Sequence, residues 1–254
     1  MAKPYPQIVL LGDSLIQGCC EASDGFSFQA ELQCHAMRRF DVVNRGFSGW
    51  NTANAVRYLG DMFLPPSESG PKLECLVVLL GANDAVQPML TTVQHVPLSD
   101  YKKNLVKIVT HPNITGHNPK IILVTPPPID EIRVTELDLA AGHPKPQRTS
   151  KISAEYTQAA RDVAAEVPGV VLVDLWQALM DHAVSRTPGF QAGGPLPGTP
   201  EFGERGGLAD LLPDGLHMSG EAYRVFYETL SVHLGDWSKG PSVFPGWREV
   251  NPPA

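Results

Sequence analysis

Short runs of branched aliphatic residues recur along the chain, and a segment with helical spacing separates most of them from the next. The runs cover residues 7–11, 41–44, 74–80, 120–125 and 170–174. They are rich in Val, Ile and Leu, as strands covered on both faces should be. Residues 28–39, 53–63, 100–109 and 154–167 carry helical patterning between them, and 175–183 adds a fifth helix after the last run. Later, Ala222, Val225, Phe226, Thr229, Leu230 and His233 recur at three and four residues, with Ser219 placed as an N-cap and Glu221 in the first turn. Strands and helices in this alternation leave few topologies open. The expected class is α/β: a five-stranded parallel sheet with helices packed on both sides.

The serial βα units argue for one domain, spanning 1–235, even though 254 residues is long enough for two small ones. Within it, residues 186–216 hold five prolines and eight glycines, which reads as a single long irregular loop. The tail 236–254 carries Trp237, Val243, Phe244 and Trp247, side chains costly to leave in water, so it is expected to dock, on its own body or on the second chain of a homodimer. A net charge of -7 argues against nucleic acid or an anionic membrane surface as a partner. The first residues lack the apolar h-region of a signal peptide, and no run approaches a membrane span, so the default location is cytoplasmic. Cys19, Cys20, Cys34 and Cys75 have no metal-like spacing, and Cys75 reads as a buried free thiol.

Ligands of open parallel sheets bind beyond the carboxyl ends of the strands, where the strand order reverses. With the common order 2-1-3-4-5, the turns after the first three strands share one crevice. They contribute Gly12-Asp13-Ser14-Leu15, Asn44-Arg45-Gly46-Phe47-Ser48-Gly49 and Gly81-Ala82-Asn83-Asp84. Ser14, at a strand end, can present an unencumbered hydroxyl. To act as a nucleophile it needs a base and donors for the oxyanion formed on attack at an ester carbonyl. The N–H groups of Ser14 and Gly46 and the side-chain amide of Asn83 can supply the donors. A turn-capping asparagine is the plainer role for Asn83 taken alone. The base lies far downstream in Asp214-Gly215-Leu216-His217, where a spacing of three lets the carboxylate fix the imidazole tautomer. The other seven histidines read as structural or merely exposed.

These four blocks, in this order, resemble those of the SGNH (GDSL) hydrolases over about the first 235 residues. Asn44 to Thr52, His95-Val96-Pro97-Leu98 and Thr125-Pro126-Pro127-Pro128 look more narrowly like the isoamyl acetate-hydrolysing esterase branch of that family. The resemblance implies a flavodoxin-like three-layer α/β/α sandwich and hydrolysis of small carboxylic esters with neither metal nor cofactor. It makes Ser14 the nucleophile, His217 the base and Asp214 its orienter, with Ser14, Gly46 and Asn83 forming the oxyanion hole. The stretch 188–212 and the tail after Trp237 match no family pattern.

Three rivals remain. A carbohydrate deacetylase or a lysophospholipase would use the same site, though an aromatic content of 7% gives sugar stacking little support. A catalytically silent binding module would keep the fold alone. Among secondary candidates, Asp13 and Asp84 are expected to brace their own turns through local N–H groups. Phe47 and Trp50 either wall the pocket or pack on the following helix. Pro126–Pro128 would stiffen the acyl side. Gly12 to Gly18 does not fit G-x-G-x-x-G, no H-E-x-x-H is present, and the sequon at Asn113 matters only after secretion.

Overall fold

A computed structural model describes residues 4–235 and 242–251. Strands β1 (Gln7–Gly12), β2 (Asp41–Gly46), β3 (Leu73–Leu79), β4 (Lys120–Val124) and β5 (Val170–Val173) form one sheet. All pairings are parallel and the order is β2-β1-β3-β4-β5, as expected. The register sets Gly12 beside Gly46 on one flank and beside Leu79 on the other, so the first three strands end level with one another.

The continuous aliphatic runs have a direct cause. Ile8, Leu10, Val77, Leu79, Ile122 and Val124 point into one core, while Val9, Leu11, Leu76, Val78, Ile121 and Leu123 point into the other. Successive strand residues face opposite sides, so covering both sides demands an apolar residue at every position. The first core is closed by the short helix α1 (Ser14–Gln17), α2 (Phe28–His35) and, from further along, α8 (Leu175–Ser185), α9 (Leu208–Leu211) and α10 (Gly220–Ser231). The second is closed by α3 (Thr52–Met62), α4 (Leu98–Val109), α5 (Pro112–Thr115) and α7 (Ser150–Glu166). The result is a three-layer α/β/α sandwich.

Three elements depart from expectation. The second helix stops at His35, not Arg39, because Arg38 takes a left-handed φ of 66°. A helix the periodicity did not indicate, α6 (Glu131–Ala140), follows the three prolines; it buries only Val134 and Asp138, too few for a stripe. The seventh helix begins at Ser150, earlier than 154, capped by Thr149, whose side chain accepts from the Ile152 N–H at 3.2 Å. By contrast, Ser219 caps α10 as expected, accepting from the Ala222 N–H at 3.3 Å.

Residues 186–207 run as successive turns into α9, whose Leu208 and Leu211 are wholly buried along with Leu212. In the tail, the Val243 N–H donates to the Arg38 carbonyl at 2.9 Å, and the Arg38 Nη2 donates to the Phe244 carbonyl at 3.1 Å. The Phe244 ring lies 5.6 Å from that of Tyr5, whereas Trp247, in the last short helix α11 (Trp247–Val250), is exposed. Trp237 is outside the described residues. Among the described residues no helix is long and apolar enough to cross a membrane.

Candidate active site

β1 runs straight into α1, with Asp13 as the hinge between them. Its Oδ1 accepts from the Leu15 N–H at 2.9 Å, and its carbonyl accepts from the Gln17 N–H at 2.9 Å. Ser14 is therefore the first residue of a helix that folds down over the end of β2. Gly46 makes this approach possible: a Cβ there would sit 2.0 Å from the Gln17 nitrogen and 2.5 Å from its Cα. Three further bonds hold α1. The Asn44 Nδ2 donates to the Ile16 carbonyl at 2.9 Å, the Ser48 N–H to Gln17 Oε1 at 2.9 Å, and the Tyr223 hydroxyl, from α10, to the Leu15 carbonyl at 2.7 Å.

Asp214 and His217 lie on a turn between α9 and α10. Asp214 Oδ1 accepts from the N–H groups of Leu216 (2.9 Å) and His217 (2.7 Å), and its Oδ2 is 2.7 Å from His217 Nδ1. A carboxylate only accepts, so Nδ1 carries the ring proton. Nε2, with its lone pair, is then turned toward the Ser14 hydroxyl, 3.0 Å away. The imidazole is half exposed. Burial would raise the Asp214 pKa, but the hydrogen bonds from the His217 ring and from the two backbone N–H groups outweigh it and hold the carboxyl below its usual range. The hydrogen bond to Asp214 raises the His217 pKa, burial opposing it. The turn is fastened from outside: the Asp130 N–H donates to the Gly215 carbonyl at 2.9 Å, Arg205 pairs with the buried Asp130 carboxylate, and Arg205 Nη2 donates to the Leu212 carbonyl at 2.9 Å. The long loop thus supplies a clamp for the histidine.

The three donors expected after the strands differ in what they already bond. No acceptor meets the Ser14 N–H among the described residues. The Gly46 N–H donates to Asn44 Oδ1 at 2.8 Å. Asn83, 5% exposed, donates one Nδ2 hydrogen to the Trp50 carbonyl at 2.8 Å and retains the other. Its Oδ1 accepts from Arg148 Nη2 at 2.9 Å, a partner with no motif around it in the sequence. Phe47 and Trp50 stack at 4.1 Å and Trp50 and Tyr58 at 5.4 Å, so these rings pack on α3, and the Trp50 carbonyl meets Asn83 from there.

The two flanking acids behave differently from each other. Asp13 braces its own turn as expected, yet its Oδ2 has no hydrogen-bond partner, and burial pushes its pKa up to about 6. Asp84 corrects the expectation: it reaches across the crevice to the start of α3, accepting from the Thr52 N–H at 3.0 Å and from the Thr52 hydroxyl. Burial raises its pKa to about 7. Pro128 and Ile129 line a cavity of about 370 Å³ with Trp176, Met180, Leu196 and Pro197; none of Ser14, Gly46, Asn83, Asp214 or His217 lines it. Among the described residues no group of three or more His, Cys, Asp or Glu side chains is placed to hold a metal ion.

Known proteins resemble this chain, some in sequence and some in fold. An Arabidopsis thaliana GDSL esterase/lipase is 32% identical over 90% of this chain and 85% of its own. The human isoamyl acetate-hydrolyzing esterase 1 homolog is 28% identical over 97% of this chain and 88% of its own. Among solved structures, an acetyl xylan esterase superposes with a TM-score of 0.62 at 15% identity, covering 90% of this chain and 99% of its own. A catalytic mutant of an acetylxylan esterase from Geobacillus stearothermophilus gives 0.59 at 19%, covering 92% and 97%. At those identities the structures speak to the fold, which is that of the SGNH hydrolases. The GDSL-like Lipase/Acylhydrolase family matches residues 10–225, a span that opens in β1 just before Ser14 and closes in α10 just after His217, and this chain belongs to that family.

Proposed function

We propose that this chain is a serine esterase that hydrolyses short-chain carboxylic esters, acetates first, through an acyl-enzyme. The observation that carries the reading is the unbroken line of hydrogen bonds from Asp214 through His217 to Ser14, at 2.7 and 3.0 Å. Ser14 Oγ attacks the ester carbonyl carbon as its proton passes to His217 Nε2, and Asp214 stabilises the imidazolium that results. The carbonyl oxygen becomes an oxyanion. It is received by the Ser14 N–H, the unpaired Asn83 N–H and the Gly46 N–H, the last shared with or released from Asn44. His217 returns the proton to the departing alkoxide, and the alcohol leaves. A water then gives its proton to His217 and attacks the acyl carbon, which frees the acid and restores Ser14.

Two considerations support a short acyl chain. The segment leaving β4 is rigid, with three consecutive prolines, and Pro126 is packed so tightly against Gly81 that a Cβ there would lie 2.5 Å from its Cγ. The human relative of 28% identity is named for hydrolysis of an acetate ester. Each methylene that a pocket cannot house forfeits burial of ~0.8 kcal/mol. The test is kcat/KM for p-nitrophenyl esters from acetate to octanoate, alongside Ser14→Ala. The account expects a steep fall with acyl length and loss of turnover in the variant. Octanoate cleaved as well as acetate favours a lysophospholipase-type reading. Preference for acetylated sugars over simple acetates favours the deacetylase, and no turnover of any ester leaves only a binding module.

A further inference from the structure

Arg148 is a buried cation that no motif announces. It is 6% exposed, and it lies in the connection between α6 and α7. Its Nε donates to the Ala82 carbonyl at 2.7 Å and its Nη2 to Asn83 Oδ1 at 2.9 Å. Both acceptors belong to the turn after β3. A guanidinium has donors only, whereas a side-chain amide has a donor end and an acceptor end of nearly the same shape. The Asn83 atom facing Arg148 must therefore be the oxygen. Its nitrogen is turned the opposite way, where one hydrogen meets the Trp50 carbonyl and the other is left for a ligand.

We infer that Arg148 is the positioning residue that fixes which end of the Asn83 amide faces the oxyanion. This rests on the reading of Asn83 as an oxyanion donor. Without the guanidinium, rotating the amide by half a turn would present an oxygen to a developing negative charge. A positive charge behind the amide also polarises it, which makes the outward N–H a better donor. The platform under Arg148 is built for rigidity. The neighbouring Gln147 donates its backbone N–H and its Nε2 to the two Asp138 oxygens, both at 2.7 Å. Gln87, a few residues beyond Asn83, donates its N–H to the Gln147 carbonyl at 2.6 Å and its Nε2 to the Pro146 carbonyl at 2.9 Å. The segment carrying Arg148 and the turn carrying Asn83 are thus laced together. Burial lowers the Arg148 pKa while the carboxylates of Asp138, Asp13 and Asp214 raise it, and a guanidinium in that company stays charged.

The test is a double-mutant cycle of Arg148→Met and Asn83→Ala, with kcat and KM measured on p-nitrophenyl acetate and a thermal melt for each variant. Asn83→Ala lowers kcat by roughly 10²–10³. Arg148→Met lowers kcat at least about 10-fold with KM nearly unchanged, and it costs little more once Asn83 is gone, because it acts through that amide. Equal losses from Arg148→Met in both backgrounds, or a wild-type kcat in that variant, would overturn the inference. If Asn83→Ala itself keeps wild-type kcat, the oxyanion-hole reading is what has failed. Should Arg148→Met not fold, Arg148→Lys takes its place in the cycle: it keeps the charge but not the fork, and the same non-additivity is expected.

Discussion

Replacing Gly46 by Ala adds one methyl group at the tightest point between the sheet and the helix that Ser14 opens. That carbon would lie 2.0 Å from the Gln17 nitrogen and 2.5 Å from its Cα. Carbon and nitrogen rest in contact at ~3.5 Å, so α1 and the end of β2 must separate by about 1.5 Å. The obstacle is backbone on both sides, and no side chain can swing away to relieve it. Overpacking of this kind costs ~1–3 kcal/mol, or roughly 3–10 °C in Tm for a chain of this size. The effect on rate is larger in proportion. Ser14 opens the helix that moves, and a displacement of even ~1 Å costs on the order of 10²-fold when it separates reacting groups. The hydrogen bond from Ser14 to His217, 3.0 Å long, would not survive it. Gly60→Ala is the matched control. Gly60 is an exposed position inside α3 where a Cβ meets nothing within 4 Å, so Ala should stabilise by ~0.5–1 kcal/mol and leave kcat alone. The assay is a thermal melt with kcat on p-nitrophenyl acetate for both variants. A Gly46→Ala protein with wild-type Tm and kcat would refute the close approach and the placement of Ser14 that depends on it.

If His217 is the base, as proposed, it must be neutral to act, and since Asp214 raises its pKa above the usual 6.5, kcat/KM should fall with decreasing pH through a midpoint above 6.5; a midpoint at or below that value contradicts the pairing. Asp84, with a pKa raised by burial to about 7 from 3.8, binds its proton more tightly folded than unfolded. It therefore favours the fold below the unfolded value, and that contribution is lost as pH rises through about 7. Asp84→Asn should accordingly gain stability relative to wild type between pH 5 and 8, on the order of a few kcal/mol, and a difference that stays flat in pH would exclude this. Removal of residues 235–254 should lower Tm or change the mass seen by light scattering, since Val243 and Phe244 meet Arg38 and Tyr5; an unchanged Tm with an unchanged mass argues against both docking and a tail-mediated dimer.

Much of the fold is legible because it obeys one rule. Strands covered on both sides must be apolar at nearly every position, and the runs of β1, β3, β4 and β5 stand out for that reason, while the edge strand β2, Asp-Val-Val-Asn-Arg-Gly and only half-buried, is the weakest of the five. Helix α6 was hidden because it buries only Val134 and Asp138 and so leaves no periodic stripe. The strand order accounts for the turns that carry Ser14, Gly46 and Asn83. Asp214 and His217 stand out only by their spacing of three, and their approach to Ser14 is a contact across 203 residues. What the four blocks do not disclose is contact across long sequence distance. Arg148 acts 65 residues from Asn83, Asp84 acts 32 residues from Thr52, and Arg205 clamps the His217 turn by way of Asp130, 75 residues away. Such side chains carry no local signature, since their function is set by where the layers bring them. The engagement of the Gly46 N–H by Asn44 is different: the two residues are two apart at the end of β2 and share a block, yet their spacing alone does not say that they bond.

The central claim is that Ser14 forms a covalent intermediate, and capture by an alkyl phosphonate ester tests it most directly. The reagent mimics the tetrahedral oxyanion and leaves a stable adduct on an activated serine. Intact-mass and peptide mapping should find about one label per chain, on the peptide containing Ser14, with activity lost in step and no adduct on Ser14→Ala. A label on any other residue, or a Ser14→Ala protein that turns over p-nitrophenyl acetate at the wild-type rate, would contradict the account.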